Sequence, residues 1–180
     1  MLDLRKSNGI IAEVNSHDID TLRWLVGQEL ECVYAQAQNF KCKEAQRAWP
    51  DFYDNVVAQF GFEDSTMGVV DGTCPAHYGY DARVEVLCER GVLFLGSVKQ
   101  DGFTKVTVDG QAIGQAVKSW RTLFKDAYLA EMEHFVDSIL HDTPLRVTGL
   151  DGLRVVEAVI ATNESIRSGR PVNITKKNPI

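Results

Sequence analysis

Three side chains near the start of the chain could act on a substrate together: Glu13, His17 and Asp20, with Trp24 as an aromatic neighbour. On a helix turning about 100° per residue they fall within a wedge of about 60°. Glu13 and His17 are four apart, which makes them neighbours on a helix surface. A carboxylate–imidazole–carboxylate row admits three readings. It can be a solvated polar face. It can be a set of metal ligands, although H-E-x-x-H and the usual Cys/His spacings are missing and the further histidines are only His77, His134 and His141. Or it can do general acid–base work, since an imidazole accepts a proton near neutral pH and a nearby carboxylate stabilises the imidazolium. Spacing alone leaves all three open.

The element that has to carry this row is a helix expected from about Gly9 to Val26, with Gly27 as its stop signal. Ile11, Val14, Leu22, Leu25 and Val26 gather on its other side as a core-facing stripe, and Asp18 falls within that stripe without explanation from the pattern. Strands follow over about 31–109. Val56, Ala58, Phe60 and Phe62 alternate with neighbours on the other face, Asp81 to Cys88 alternates again, and short turns such as Glu89-Arg90-Gly91 and Asp109-Gly110 join the runs. Connections this short allow antiparallel neighbours only. Two helical patterns close the chain between about 119 and 168. The first carries the apolar stripe Leu123, Tyr128, Met132, Phe135, Val136, Ile139 and Leu140. The second opens on Thr148 with Asp151 three residues on. The expected fold is α+β: an open, mostly antiparallel β-sheet with helices packed on one face, a single domain over residues 1–180.

Composition narrows the function classes. The 180 residues carry 19 Lys+Arg against 25 Asp+Glu, a formal charge of −6, which argues against a general nucleic-acid binder. A hydrophobic fraction of 44% with 24% charged residues is that of an ordinary globular protein. No apolar run approaches the roughly 18 residues of a membrane span, and no secretory leader is visible, so the expectation is a cytoplasmic protein without a membrane partner. Cys32, Cys42, Cys74 and Cys88 form no C-x-x-C pair and are expected as reduced thiols.

Beyond residue chemistry, the segment from Ser7 to Leu25 resembles the helix opening the second domain of the Gfo/Idh/MocA oxidoreductase family, with its D-x-x-x-H-[DE]-x-D motif and R/H-W-L end. Tyr78-Gly79-Tyr80-Asp81 is similar to the Y-G-Y-D segment of inositol 2-dehydrogenases in that family. Trp120, Phe124, Ala127-Tyr128, Glu131 and Phe135 keep another of its spacings, and Thr148-Gly149-x-Asp151-Gly152-Leu153 with Ser168-Gly169-Arg170-Pro171-Val172 resembles its closing helix and tail. The resemblance implies that His17 is the catalytic base and that Glu13 binds substrate hydroxyls and tunes it. It implies that Asp20 orients the helix or the imidazole and that Tyr80 faces the sugar ring. Asp81 matches too, with a hydrogen bond at a strand start as its alternative role. Trp120, Tyr128, Glu131 and Phe135 read as packing residues.

The implied substrate is a polyol or sugar, the implied cofactor NAD or NADP, and family members pair subunits through the sheet face. Two features depart from the pattern. Glu13 stands where the family usually has Asp, one methylene shorter. Neither G-x-G-x-x-G nor E-K-P occurs, and nothing here has the strand–turn–helix setting that holds a pyrophosphate. The chain is therefore expected to be a substrate-and-assembly domain without its Rossmann partner, binding no nicotinamide by itself. A non-enzymatic ligand-binding or dimerisation module is the alternative.

Overall fold

A computed structural model describes residues 3–97 and 105–176. In chain order it begins with three short helices, α1 (Leu4–Ser7), α2 (Gly9–Glu13) and α3 (Ser16–Val26). Strand β1 (Leu30–Gln38), helix α4 (Lys43–Ala48) and strands β2 (Asn55–Phe62) and β3 (Met67–Thr73) follow. Next come the strands β4 (Val84–Cys88), β5 (Gly91–Leu95), β6 (Lys105–Val106) and β7 (Ala112–Ile113). Helices α5 (Trp120–Leu123), α6 (Lys125–His141) and α7 (Gly149–Ser168) and strand β8 (Val172–Asn173) finish the chain. The chain divides into two compact units, one running through Pro75 and resuming at Arg146, the other Ala76–Leu145. The fold class is α+β with open, antiparallel sheets.

The first unit is built on a four-stranded antiparallel sheet ordered β3-β2-β1-β8. Its strands show why period-two patterning is legible when one face meets solvent: Val56, Ala58, Phe60 and Phe62 are buried while Val57 and Gln59 are exposed. Val33 and Ala35 of β1 join the same core, and the outward face carries Tyr34, Val57, Met67 and Val69. Helix α7 covers the inner face with Val155, Ala158, Val159, Ala161, Thr162 and Ser165. It starts with a capping box between Thr148 and Asp151 and stops at Gly169, whose left-handed φ of 67° suits a residue without Cβ.

At the far end of α7, the Ser165 hydroxyl accepts the Ala35 N–H of β1 (2.9 Å) and donates to the Arg170 carbonyl (2.7 Å). It completes the ladder where β8, paired only at Cys32 and Val33, falls short. Asp54 is fully buried beside β2, its carboxylate accepting the N–H groups of Phe40, Lys41 and Cys42 at 2.8–2.9 Å.

The second unit contains two two-stranded ribbons, β4-β5 and β6-β7, with α5 and α6. Trp120 and Tyr128 meet edge to face at 5.8 Å, and the Arg121 guanidinium lies 5.0 Å from the Trp120 ring centroid. The apolar stripe of α6 (Tyr128, Met132, Phe135, Val136, Ile139 and Leu140) is exposed throughout.

Several expectations need correction. The helix expected over 9–26 is two helices separated at Val14–Asn15, and the helix expected from 119 breaks at Phe124, which caps α5 and leads into α6. Helix α4 interrupts the run of strands between β1 and β2. The strands divide among one sheet and two ribbons, and residues 98–104 of the expected sheet span fall outside the described residues. No described helix is long and apolar enough to cross a membrane, and all four cysteines are free thiols.

Candidate active site

The helix break decides how the candidate residues are presented. Val14 N–H bonds to Ile10 O four residues back (2.9 Å), but Asn15 N–H also reaches Ile10 O, five residues back (3.2 Å), a π-type turn that ends α2. Asn15 then caps α3 through Ile19 N–H (2.9 Å). Its side chain is 1% exposed: Nδ2 donates to Asp18 Oδ2 (2.9 Å), and Oδ1 has no partner among the described residues. The amide lies against Gly72 of β3, where an added Cβ would come within 2.3 Å of it. Asp18 is thus in the apolar stripe because it binds Asn15. Burial pushes its carboxyl up and nearby Asp71 adds to this, against the Asn15 hydrogen bond and the charge of His17.

On the other flank, Tyr53 OH donates to Asn163 Oδ1 (2.9 Å) and Asn163 Nδ2 donates to Asn8 O (3.0 Å), tying the entry of α2 to α7.

Glu13, the last residue of α2, and His17, the second of α3, are both exposed and lie on opposite sides of the break. The single-helix geometry that made them i, i+4 neighbours therefore does not apply, and no hydrogen bond joins them. His17 lines an open pocket of roughly 210 Å³ with Ser16, Asp20, Val147, Gly152 and Val155. One wall comes from α3 and the other from the start of α7.

Asp20 is held on that wall by Arg23. The Arg23 side chain is buried, and its Nη1 lies 3.2 Å from Asp20 Oδ1. Nη2 and Nε take both oxygens of Glu29 (2.7 and 3.1 Å), and Nη1 is also 3.6 Å from Asp151 Oδ1. Trp24 points to solvent. Among the described residues no cluster of three His, Cys, Asp or Glu could hold a metal ion.

Tyr80 belongs to the second unit. Its N–H donates to Val117 O (2.7 Å) and its ring meets Phe124 edge-on at 6.0 Å. Asp81 accepts two hydrogen bonds from Arg83 (2.7 and 2.8 Å) and one from Tyr78 OH (3.1 Å), contacts that hold its carboxyl below the usual range and match its structural role. Sequence reasoning grouped Glu13, His17 and Asp20 but passed over Asn15, Arg23 and Glu29. Of these Arg23 and Asn15 left a local signal, the i, i+3 spacings to Asp20 and Asp18, and Glu29 left none.

Comparison with known proteins agrees with this architecture. Residues 3–174 match the model of an oxidoreductase family, Gfo/Idh/MocA, C-terminal alpha/beta domain. The chain is 28% identical over 171 residues to myo-inositol 2-dehydrogenase of Thermotoga maritima, covering 95% of this chain and 51% of that protein. It is 26% identical over 174 residues to the scyllo-inositol 2-dehydrogenase (NAD(+)) of Bacillus subtilis, covering 97% and 50%. Among solved structures, scyllo-inositol dehydrogenase of Lactobacillus casei with bound NAD(H) and scyllo-inositol superposes with a TM-score of 0.85 at 27% identity, covering 92% of this chain and 48% of that one. The chain thus spans about half the length of the curated relatives it matches.

Proposed function

The chain belongs to the Gfo/Idh/MocA oxidoreductase family, as its C-terminal alpha/beta domain, and we propose that it is the substrate-binding and catalytic-base half of an NAD(P)-dependent dehydrogenase oxidising a secondary hydroxyl of a cyclic polyol or sugar, of the inositol 2-dehydrogenase kind. The observation that carries this reading is the placement of His17 and Asp20 together on one wall of an open pocket. In the proposed reaction the His17 imidazole accepts the proton of the hydroxyl being oxidised, as a general base lining the pocket. Asp20, with one oxygen taken by Arg23, offers its other to a substrate hydroxyl, and Glu13 contributes a further hydroxyl contact. Such carboxylates discriminate strongly, because a missing hydroxyl leaves them unpaired. Among the described residues the pocket lining has no lysine or arginine, which suits a neutral polyol better than a phosphorylated one.

Nicotinamide, when bound, would supply the hydride acceptor, and in this reading the chain does not hold it. The turn from β1 into α4 is a strand-to-helix connection of the sort that could cradle a pyrophosphate, but its N–H groups at residues 40–42 already serve the Asp54 carboxylate. We assign that task to the half of the relatives outside the match. At roughly 210 Å³ the pocket is smaller than the 300–1,000 Å³ common for complete ligand sites, consistent with a site finished by another part.

The test is to assay the protein joined to its nucleotide-binding half on myo- and scyllo-inositol with NAD and NADP. Turnover is expected; no reduction of either nucleotide by any cyclic polyol overturns the reading. The 180-residue chain alone should give no NADH fluorescence change, and micromolar binding would contradict its proposed lack of a cofactor site. The open sheet face, with Tyr34, Val57, Met67 and Val69, supports a second role in pairing copies of the protein. A strictly monomeric species in light scattering at high micromolar concentration removes it.

A further inference from the structure

Arg23 touches both walls of the pocket and yet lines neither. On the α3 side it grips Asp20, which lies in the lining beside His17. On the α7 side it reaches Asp151 Oδ1 at 3.6 Å; Asp151 precedes Gly152 and sits one helix turn before Val155, both in the opposite wall. The other carboxylate oxygen of Asp151 accepts the Thr148 N–H and hydroxyl, each at 2.8 Å, so the same acid starts α7 and meets the guanidinium. Glu29, ahead of β1, holds Nε and Nη2 and thereby fixes the plane of the fork. A planar guanidinium with five donors in fixed directions can hold three acids at set angles, whereas an ammonium is a point charge on a flexible stem.

We propose that Arg23 is a positioning residue that sets the spacing of the two pocket walls and the direction of Asp20, and so decides which stereoisomer of the polyol the pocket accepts. The inference rests on the dehydrogenase reading above and adds a specificity determinant outside the substrate's reach. Isomers of a cyclic polyol differ only in whether a hydroxyl points up or down from the ring, a displacement of the order of the 1 Å that matters for productive placement. A wall free to shift by that amount cannot tell them apart.

The experiment is a double-mutant cycle in the protein carrying its nucleotide-binding half, with kcat/KM measured for myo- and scyllo-inositol. Arg23→Lys is expected to shrink the ratio of the two values at least fivefold, chiefly through KM of the preferred isomer, with kcat changed less than threefold. In an Asp20→Asn background the same substitution is expected to move the ratio less than twofold, since the larger part of its effect, the direction of Asp20, is then already lost. Asp151→Asn, which can still cap α7 through its amide oxygen but loses the ion pair, is expected to shrink the ratio in the same direction and serves if Arg23→Lys folds poorly. A lower Tm with the isomer ratio unchanged in both variants assigns Arg23 to stability alone and overturns the inference. Equal effects of Arg23→Lys with and without Asp20 overturn it as well. A parent protein that oxidises neither isomer fails earlier, at the dehydrogenase reading, and is told apart by that.

Discussion

The backbone N–H of Asn15 bonds to the carbonyl of Ile10, five residues back, at 3.2 Å. That oversized turn ends one helix and begins another between the acid at 13 and the imidazole at 17, so the two sit on separate rigid pieces. Their relative placement is governed by whatever holds the turn: the buried Asn15 amide, its bond to Asp18 and the space left by Gly72.

Gly72→Ala tests that seat. A Cβ there falls 2.3 Å from the Asn15 amide, too close for either to stay. Overpacking of this kind costs about 1–3 kcal/mol, and the urea midpoint of the 180-residue chain is expected to fall accordingly. Asn15→Ser in the Gly72→Ala background should recover part of the loss by making room; an unchanged midpoint for Gly72→Ala would show that the seat is loose.

His17→Ala separates chemistry from folding. The imidazole is exposed and bonded to no described residue, so stability should change by no more than about 0.5 kcal/mol. In the protein with its nucleotide-binding half, kcat should drop by about 10²–10⁴, the range for a lost general base. Retention of most of the turnover would remove His17 from the mechanism.

Asp54 gives the first unit an acid limit. Burial alone would raise its carboxyl, but the N–H groups of Phe40, Cys42 and Lys41 and the Asn55 amide overcome that and hold it at about 2, against an ordinary value of 3.8. A depressed folded value stabilises the protein above the ordinary value, and that stabilisation is lost as pH falls from about 4 through about 2. The contribution is on the order of 2 kcal/mol. Asp54→Asn should be less stable than the parent at pH 7, and the gap should narrow in denaturant melts at pH 2.5; a gap independent of pH would contradict the assignment.

Ser165→Ala leaves the Ala35 N–H buried without an acceptor and frees the Arg170 carbonyl. An unsatisfied buried donor costs about 1–3 kcal/mol. Amide exchange at Ala35 should quicken together with the drop in stability, and slow exchange at that amide in the variant would mean another acceptor has taken over.

The parts of this fold that could be read from the chain are those governed by neighbours in sequence. The inward row of β2 announced itself because solvent on one face imposes a period of two, and Thr148, Asp151 and Gly169 marked α7 because caps are local chemistry. What escaped was set at a distance. Asn15 looks like one more polar residue until β3 brings Gly72 beside it, and Arg23 looks like surface charge until Glu29 and Asp151 close round it. Periodicity also assumed an unbroken helix, so Glu13 and His17 were placed on a common face that a single five-residue hydrogen bond divides. His17 and Asp20, both beyond the break on α3, keep the proximity their spacing implied.

The Ser165 hydroxyl has a meaning for the sheet as a whole. Unpaired N–H and C=O groups along a border strand invite foreign strands, and proteins commonly blunt such borders with charge, proline or covering loops. Here a helix side chain spends one hydroxyl on the position where β8 has run out, so the border beside β1 ends in a plugged bond instead of a vacant rung. Growth by strand addition is closed off there, and the β3 side, with Asp71 outward among Met67 and Val69, is left as the border that charge has to guard.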